Sequence, residues 1–156
     1  MANIYQIGAG LVGKAMALDL AKEHNVFLAD KDSILLQSIK NEFPSIKTQI
    51  LDVNDEGELS KFIKPADIVL LAVPGFLGFK ALEKIIKAKK NVVDISFAPE
   101  DALKLNNLAQ QNNVTAIIDS GVAPGIPNYI LGYHNRSMKI NSFKYCFNCS
   151  ISYFLQ

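Results

Sequence analysis

Residues 3–13, NIYQIGAGLVG, are the stretch that decides the fold of this chain. A β-type run over residues 3–7 ends directly at Gly8, and a helical pattern follows at once. Gly8, Gly10 and Gly13 have the spacing G-x-G-x-x-G. That spacing alone is weak, but between a first strand and a first helix it indicates a dinucleotide-binding turn.

The chemistry of a pyrophosphate explains this pattern. Gly8 permits a tight turn, Gly10 lets the backbone approach the ligand, and Gly13 allows the helix to pack closely on the strand. Leu11 and Val12 begin the helix, whose N-terminus has free N–H groups and a partial positive charge. We therefore expect a dinucleotide pyrophosphate to bind along this turn.

An acidic residue stands where such folds bind the adenosine ribose. Asp30 ends the second predicted strand, about 20 residues after Gly10. Its carboxylate can accept hydrogen bonds from the ribose hydroxyls and would repel a 2′-phosphate. The sequence therefore predicts NAD as the cofactor, with NADP less favoured, although the adjacent Lys31 softens that preference.

The rest of the chain alternates short β-rich runs with helical stretches, which predicts a Rossmann-type, doubly wound α/β fold with six parallel strands. The predicted strands span residues 3–7, 26–29, 46–51, 67–73, 91–96 and 114–119. The predicted helices span residues 11–24, 33–43, 79–89, 100–112 and 128–134, with another that opens at Asp55. Asp55 and Glu58 have capping-box spacing, which favours a cap over a catalytic pair. Residues 142–153 are predicted to form one or two further strands.

Ligands of open α/β sheets bind beyond the carboxyl ends of the strands. On this basis Asp52 and Val53 flank the adenine, and Val73 and Pro74 pass under the pyrophosphate and the nicotinamide ribose. Other residues at strand ends are candidates for the substrate side, namely Ser96, Asp119 and Ser120. For each aspartate, a local turn or cap is an equal alternative.

Composition favours a globular protein without a strongly charged partner. The 156 residues carry a formal net charge of +1, which predicts no attraction to nucleic acid or to acidic membranes. We expect a cytoplasmic protein, since no apolar run is long enough for a membrane span and the first strand leaves no room for a signal peptide. Cys146 and Cys149 form a C-x-x-C without further zinc ligands, so we predict reduced thiols in an edge strand and no metal site.

Four segments together resemble the N-terminal part of the saccharopine dehydrogenase family, and its bacterial and archaeal branch with lysine 6-dehydrogenase most of all. They are GAGLVGKAMALDLAK at residues 8–22, LDVND at 51–55, VVDISFAPED at 92–101 and DSGVAPGIPNYILGY at 119–133. The resemblance covers residues 1 to about 145. Its most specific element is the G-V-A-P-G loop, which generic Rossmann domains lack.

This resemblance implies an NAD(P)-dependent oxidoreductase that passes hydride between the nicotinamide and an amine or imine carbon of an amino acid. It implies a two-domain subunit able to form a homodimer, with residues from Gly121 to Gly125 near the nicotinamide and substrate. Residues 1–135 would be the nucleotide-binding domain, and residues 136–156 the truncated start of the substrate and dimerisation domain. Ser120 stands where a cysteine is expected in a D-C-G-V-A-P-G variant, and no catalytic acid or base is assigned.

Three interpretations of the function remain open on the sequence. The first is the cofactor domain of such an oxidoreductase, which we expect to bind NADH with little turnover by itself. The second is a nucleotide-sensing module of the potassium-transport gating-ring type, which has the same glycine turn and acidic residue but no need for the loop at residues 121–128. The third is a non-functional gene remnant.

Overall fold

The computed structural model describes residues 1–147 and 150–154, with side chains described up to residue 144. The chain forms two compact units, Met1–Ile118 and Asp119–Gln156. The domain boundary predicted after residue 135 stays a prediction. Cys149 lies outside the described residues.

The first unit is built on the six-stranded parallel sheet that the sequence predicts. The strands are β1 (Asn3–Ile7), β2 (Asn25–Asp30), β3 (Lys47–Ile50), β4 (Ile68–Leu71), β5 (Val92–Asp94) and β6 (Ala116–Ile117). Their order in the sheet is β3-β2-β1-β4-β5-β6, and every neighbouring pair is parallel. This is the Rossmann strand order, in which β1 and β4 are neighbours at the point where the order reverses.

The helices confirm the predicted alternation but not all of its boundaries. They are α1 (Leu11–Leu20), α2 (Ser33–Glu42), α3 (Glu56–Ile63), α4 (Gly75–Lys87) and α5 (Asn106–Asn112), with a 3-10 helix at Ala102–Leu105. Helix α4 begins at Gly75 rather than Phe79, because Pro74 has extended backbone angles and serves as the N-cap. The helix predicted over residues 100–112 is the 3-10 helix followed by α5. Among the described residues, no helix has the length and apolar composition that a membrane span requires.

Apolar side chains cover both faces of the sheet. One cluster joins β1, β4 and β5 to α3 and α4, and a smaller one joins β2 to α1 and α2. In the larger cluster the Tyr5 ring stacks on Phe27, with ring centroids 4.3 Å apart, and meets the edge of Phe62 at 4.9 Å. Burial raises the pKa of the Tyr5 hydroxyl above its usual value, so the ring stays neutral at physiological pH.

In its described residues, the second unit contains a helix and a pair of antiparallel strands. Helix α6 (Ile126–His134) begins two residues before the predicted start, with Pro127 in its first turn. Strands β7 (Phe143–Phe147) and β8 (Ser150–Phe154) pair antiparallel. The segment predicted as one or two strands therefore forms two, and Cys146 lies in the first of them.

Replacement of Ile85 by alanine tests the larger core cluster. Ile85 is fully buried on α4, so we expect Ile85→Ala to lower the free energy of unfolding by about 2–5 kcal/mol through lost burial and a cavity. Urea unfolding measures this change. Ile34→Ala on α2 is the control, because Ile34 is 83% exposed and its loss should cost no more than about 0.5 kcal/mol. Equal losses in the two variants would contradict this description of the core.

Candidate functional site

A cavity of about 690 Å³ opens at the carboxyl ends of the central strands. Its walls come from the turns that follow β1, β2, β3 and β4, which is where ligands of doubly wound sheets bind. All the predicted cofactor residues line this one cavity: Gly8, Gly10, Leu11, Val12, Gly13, Asp30, Lys31, Asp52, Val53, Val73 and Pro74. The structure thus brings together residues that are far apart in the chain.

The glycine turn is shaped by close backbone contacts. Gly8 has a φ of +103°, and a Cβ there would overlap the carbonyl oxygen of Ala72. A Cβ on Gly13 would overlap the carbonyl oxygen of Gly8. A Cβ on Gly10, in contrast, would have no atom of the described residues within 4 Å. The protein thus leaves open space beside Gly10, at the N-terminus of α1, which fits a pyrophosphate seated against the backbone.

Gln6 is a site-forming residue that the sequence analysis missed. It is fully buried in β1, and its Nε2 donates to the carbonyl oxygens of Gly8 at 2.9 Å and Gly13 at 2.7 Å. One side chain thereby links the end of the strand to the first turn of α1. The available signal was a polar residue on an otherwise apolar strand, because a buried amide is retained when it is hydrogen-bonded.

Asp30 holds the other side of the glycine turn. Its Oδ2 accepts a hydrogen bond from the Ala9 N–H at 2.7 Å, and its Oδ1 accepts one from the Asp32 N–H at 3.0 Å. Asp32 in turn caps α2 by accepting from the N–H groups of Ile34 and Leu35. Each carboxylate oxygen can accept a further hydrogen bond, so Asp30 can fix the turn and still bind a ribose hydroxyl.

The turn between β3 and α3 forms the wall next to Asp30. Asp52 is exposed, and its Oδ1 accepts from the Asn54 N–H at 2.8 Å. Asp55 accepts from the Glu58 N–H at 2.9 Å, which confirms it as the N-cap of α3. The Glu58 side chain forms an ion pair with Lys61 instead of completing a capping box.

The segment after β5 differs from the expected arrangement. Ser96 is only 7% exposed, and its hydroxyl, packed against Gly78, has no hydrogen-bond partner among the described residues. The next residue, Phe97, is 65% exposed and has a φ of +48°. Such an angle is rare for a bulky residue and often marks a functional constraint. The residue presented to the surface here is therefore Phe97, and a substrate-side role for Ser96 stays a prediction.

The other substrate-side candidates belong to the second unit, where they form a closed turn before α6. Gly125 has a φ of +135°, and the Ile126 N–H donates to the carbonyl oxygen of Gly121 at 3.1 Å. The Ser120 hydroxyl is 2.9 Å from that of Tyr129. Asp119 has a φ of +52°. A role in substrate binding for Asp119, Ser120, Gly121 and Gly125 stays a prediction.

Metal chemistry finds no support in the part of the chain that the structure describes. No group of three or more His, Cys, Asp or Glu side chains there is arranged to hold a metal ion.

Two glycine variants separate the fold from the ligand site. We expect Gly10→Ala to unfold like the wild type, within about 0.5 kcal/mol, but to bind NADH at least about tenfold more weakly, because the methyl group occupies the space of one good ligand contact. We expect Gly13→Ala to lose about 1–3 kcal/mol of stability through overpacking. Chemical unfolding and NADH fluorescence titration measure both effects.

Gly132→Ala is the matched control for these variants, because a Cβ at Gly132 in α6 also has no contact within 4 Å in the part of the chain that the structure describes. It should leave NADH affinity unchanged. Undiminished NADH affinity in Gly10→Ala would contradict the assignment of this cavity.

The chain is similar to known proteins over most of its length. The family model described as Saccharopine dehydrogenase NADP binding domain matches residues 4–117. "Saccharopine dehydrogenase [NADP(+), L-glutamate-forming]" of Schizosaccharomyces pombe is 28% identical over 154 residues, which cover 94% of this chain and 34% of the relative. "Alpha-aminoadipic semialdehyde synthase" of Arabidopsis thaliana is 28% identical over 102 residues, 62% of this chain and 10% of the relative.

A solved structure shares the fold. The apo saccharopine dehydrogenase (L-Glu forming) of Saccharomyces cerevisiae superposes with a TM-score of 0.76 at 24% identity, covering 87% of this chain and 31% of that one. The chain thus spans about a third of the length of these two yeast relatives. The likeness to a lysine 6-dehydrogenase branch stays a prediction, and the nucleotide-sensing alternative is not favoured. The family match includes the glycine turn, Asp30 and the turn after β3, and the chain belongs to the saccharopine dehydrogenase family, as its NADP-binding domain.

Proposed function

We propose that this chain binds the cofactor of an oxidoreductase that acts on the C–N bond of an amino acid. The observation that carries the proposal is the single cavity at the β1–β4 switch point, lined by every predicted cofactor residue. The names of the relatives support an amino-acid substrate. When bound, the nicotinamide supplies hydride transfer to or from an amine or imine carbon.

Different residues of the cavity bind different parts of the cofactor. The α1 N-terminus and the open backbone at Gly10 receive the pyrophosphate, whose negative charge suits the partial positive charge of a helix start. Asp30 accepts from the ribose hydroxyls, and the turn at Asp52 borders the adenine. Val73, at the end of β4, supports the nicotinamide ribose. A homodimeric assembly in the cytoplasm is part of the proposal.

The charges of the cavity favour NAD over NADP, although NADP is named for the family and for the Schizosaccharomyces pombe relative. The charged residues that line it are Asp30, Asp32 and Asp52 against a single lysine, Lys31. A 2′-phosphate adds a charge of about −1.5 to −2 beside Asp30. Repulsion from the carboxylates outweighs attraction to one exposed lysine, since like charges at short range disfavour binding by several kcal/mol.

The preference is tested by titration of NADH and NADPH into the wild type and Asp30→Asn. We expect the wild type to bind NADH about tenfold or more tightly than NADPH, the ratio that a difference of ~1.4 kcal/mol produces. Asp30→Asn keeps the size of the side chain but removes its charge, so the ratio should fall toward one. Isothermal titration calorimetry measures all four affinities.

Asp19→Asn is the charge-matched control, because Asp19 pairs with the exposed Lys22 and does not line the cavity. It should leave the ratio unchanged. Equal or tighter binding of NADPH by the wild type would overturn the NAD preference alone. No binding of either dinucleotide at millimolar concentration would overturn the proposed function.

A further inference from the structure

Gln6 lies at a position in the sheet where an apolar side chain is expected. It stands in β1 between Leu28 of β2 and Leu70 of β4, and it is completely buried. Parallel strands that are covered on both faces are normally apolar throughout. A buried amide costs free energy unless its polar atoms are hydrogen-bonded, so the reason for Gln6 has to come from its contacts.

Only one of the two polar atoms of this amide is satisfied. Nε2 donates to the carbonyl oxygens of Gly8 and Gly13, whereas Oε1 is buried and has no hydrogen-bond partner among the described residues. An unpaired buried acceptor lowers stability. An apolar residue of the same size would avoid that cost but would leave the two carbonyl oxygens unheld. The amide is therefore explained by what it does for the glycine turn, and not by the packing of the strand.

The peptide group that joins Gly8 to Ala9 is held at both of its ends. Its carbonyl oxygen accepts from Gln6 Nε2 at 2.9 Å, and its N–H donates to Asp30 Oδ2 at 2.7 Å. A peptide group is planar, so two such contacts fix its rotation about the chain. Gly8 would not fix it by itself, because a residue without a Cβ allows many backbone orientations. Two side chains from neighbouring strands thus orient one peptide plane.

This peptide stands directly before the backbone that faces the cavity. Gly10 follows Ala9, and a Cβ on Gly10 would have no atom of the described residues within 4 Å. The carbonyl oxygens of Gly8 and Gly13, in contrast, are turned toward the buried Gln6 amide. A helix start attracts an anion through its N–H groups, and a carbonyl oxygen turned toward the anion would repel it. Gln6 therefore keeps the negative ends of these peptides out of the cavity.

We propose that Gln6 is a positioning residue for dinucleotide binding, which acts through the Gly8–Ala9 peptide together with Asp30. This inference rests on the proposed cofactor function and extends it to a residue that does not itself line the cavity. Its contribution is preorganisation. A turn that is already correctly oriented loses little conformational entropy when the ligand binds, whereas a loosely held turn has to be ordered at that moment.

Gln6→Met tests this role, because it keeps about the length and volume of the side chain and removes both donated hydrogen bonds. The apparent Kd rises as the binding-competent fraction of the protein falls, so we expect the Kd of NADH to rise about three- to tenfold. NADH fluorescence titration measures this change. Gln6→Leu, which matches the two neighbouring leucines of the sheet, is the second variant and should give the same result.

Leu28→Met is the matched control. Leu28 is completely buried, lies opposite Gln6 in the register of β1 and β2, and does not line the cavity. The control therefore places the same new side chain in the same layer of the core without removing a contact to the glycine turn. Leu28→Met should leave the Kd of NADH unchanged. Thermal unfolding shows whether each variant is folded at the temperature of the titration.

Hydrogen exchange of two neighbouring amides, followed by NMR without cofactor, tests the route through the peptide. In Gln6→Met the Ala9 N–H should exchange at least about threefold faster, because local opening of the peptide becomes easier. The Gly8 N–H donates to the carbonyl oxygen of Ala29 at 2.8 Å and has no contact with Gln6. Its exchange should stay unchanged, whereas a general loosening of the strand would accelerate both amides.

A double-mutant cycle tests the joint action with Asp30. Asp30→Ala removes the contact at the other end of the same peptide, so the peptide is already loose in that background. Residues that share a partner are not additive. We therefore expect Gln6→Met to raise the Kd of NADH by a smaller factor in Asp30→Ala than in the wild type.

The outcomes separate this inference from the proposed function. If Gln6→Met and Gln6→Leu bind NADH as tightly as Leu28→Met does, the positioning role is overturned while the cofactor function stands. If the Gly8 and Ala9 amides accelerate alike, or if Gln6→Met has the same effect in both backgrounds, the route through the Gly8–Ala9 peptide is overturned. If the wild type binds no NADH, the proposed function fails and this inference fails with it.

Discussion

The close approach of the β1 and β4 backbones at Gly8 and Ala72 is the constraint on which the site depends. A side chain at Gly8 would overlap the carbonyl oxygen of Ala72, and a side chain at Gly13 would overlap the carbonyl oxygen of Gly8. Because neither glycine has a Cβ, α1 can start immediately above the end of β1. The helix N-terminus and the strand ends then share one cavity, as an anion site at the switch point of a doubly wound sheet requires.

The same polar residues stabilise the turn and prepare it for a ligand. Gln6 ties β1 to α1 from inside the core, while Asp30 ties the Ala9 N–H to the end of β2. Lys84 holds the turn after β3, because its Nζ donates to the backbone carbonyl oxygens of Val53 and Asn54. A binding loop held in this way loses little conformational entropy when a ligand arrives, which is the benefit of preorganisation. The same hydrogen bonds therefore support both the fold and the shape of the ligand cavity.

The cavity is lined by more acidic than basic side chains. Three carboxylates and one lysine line a cavity in a domain whose family is named for NADP. A shared fold does not settle which nucleotide binds, because that choice depends on a few charges near the ribose. Asp30 lies at the edge of the glycine turn, where its contacts with two backbone N–H groups hold its carboxylate.

The sequence by itself determined the strand–helix alternation, the glycine turn and the acidic residue at the end of β2, because each depends on local patterns: apolar runs, fixed glycine spacing and one acid at a strand end. Only the tertiary structure disclosed Gln6 as the support of that turn, Lys84 as the support of the Asp52 turn, and Phe97 as the exposed residue after β5. It also decided that Ser96 is buried beneath α4 and that this helix starts at Gly75. The physical reason is distance along the chain. Lys84 lies about thirty residues from the carbonyl oxygens that it contacts, and Ser96 packs against Gly78 of a different element. Such contacts exist only once the sheet and helices have packed, so they leave no periodic signal in the sequence.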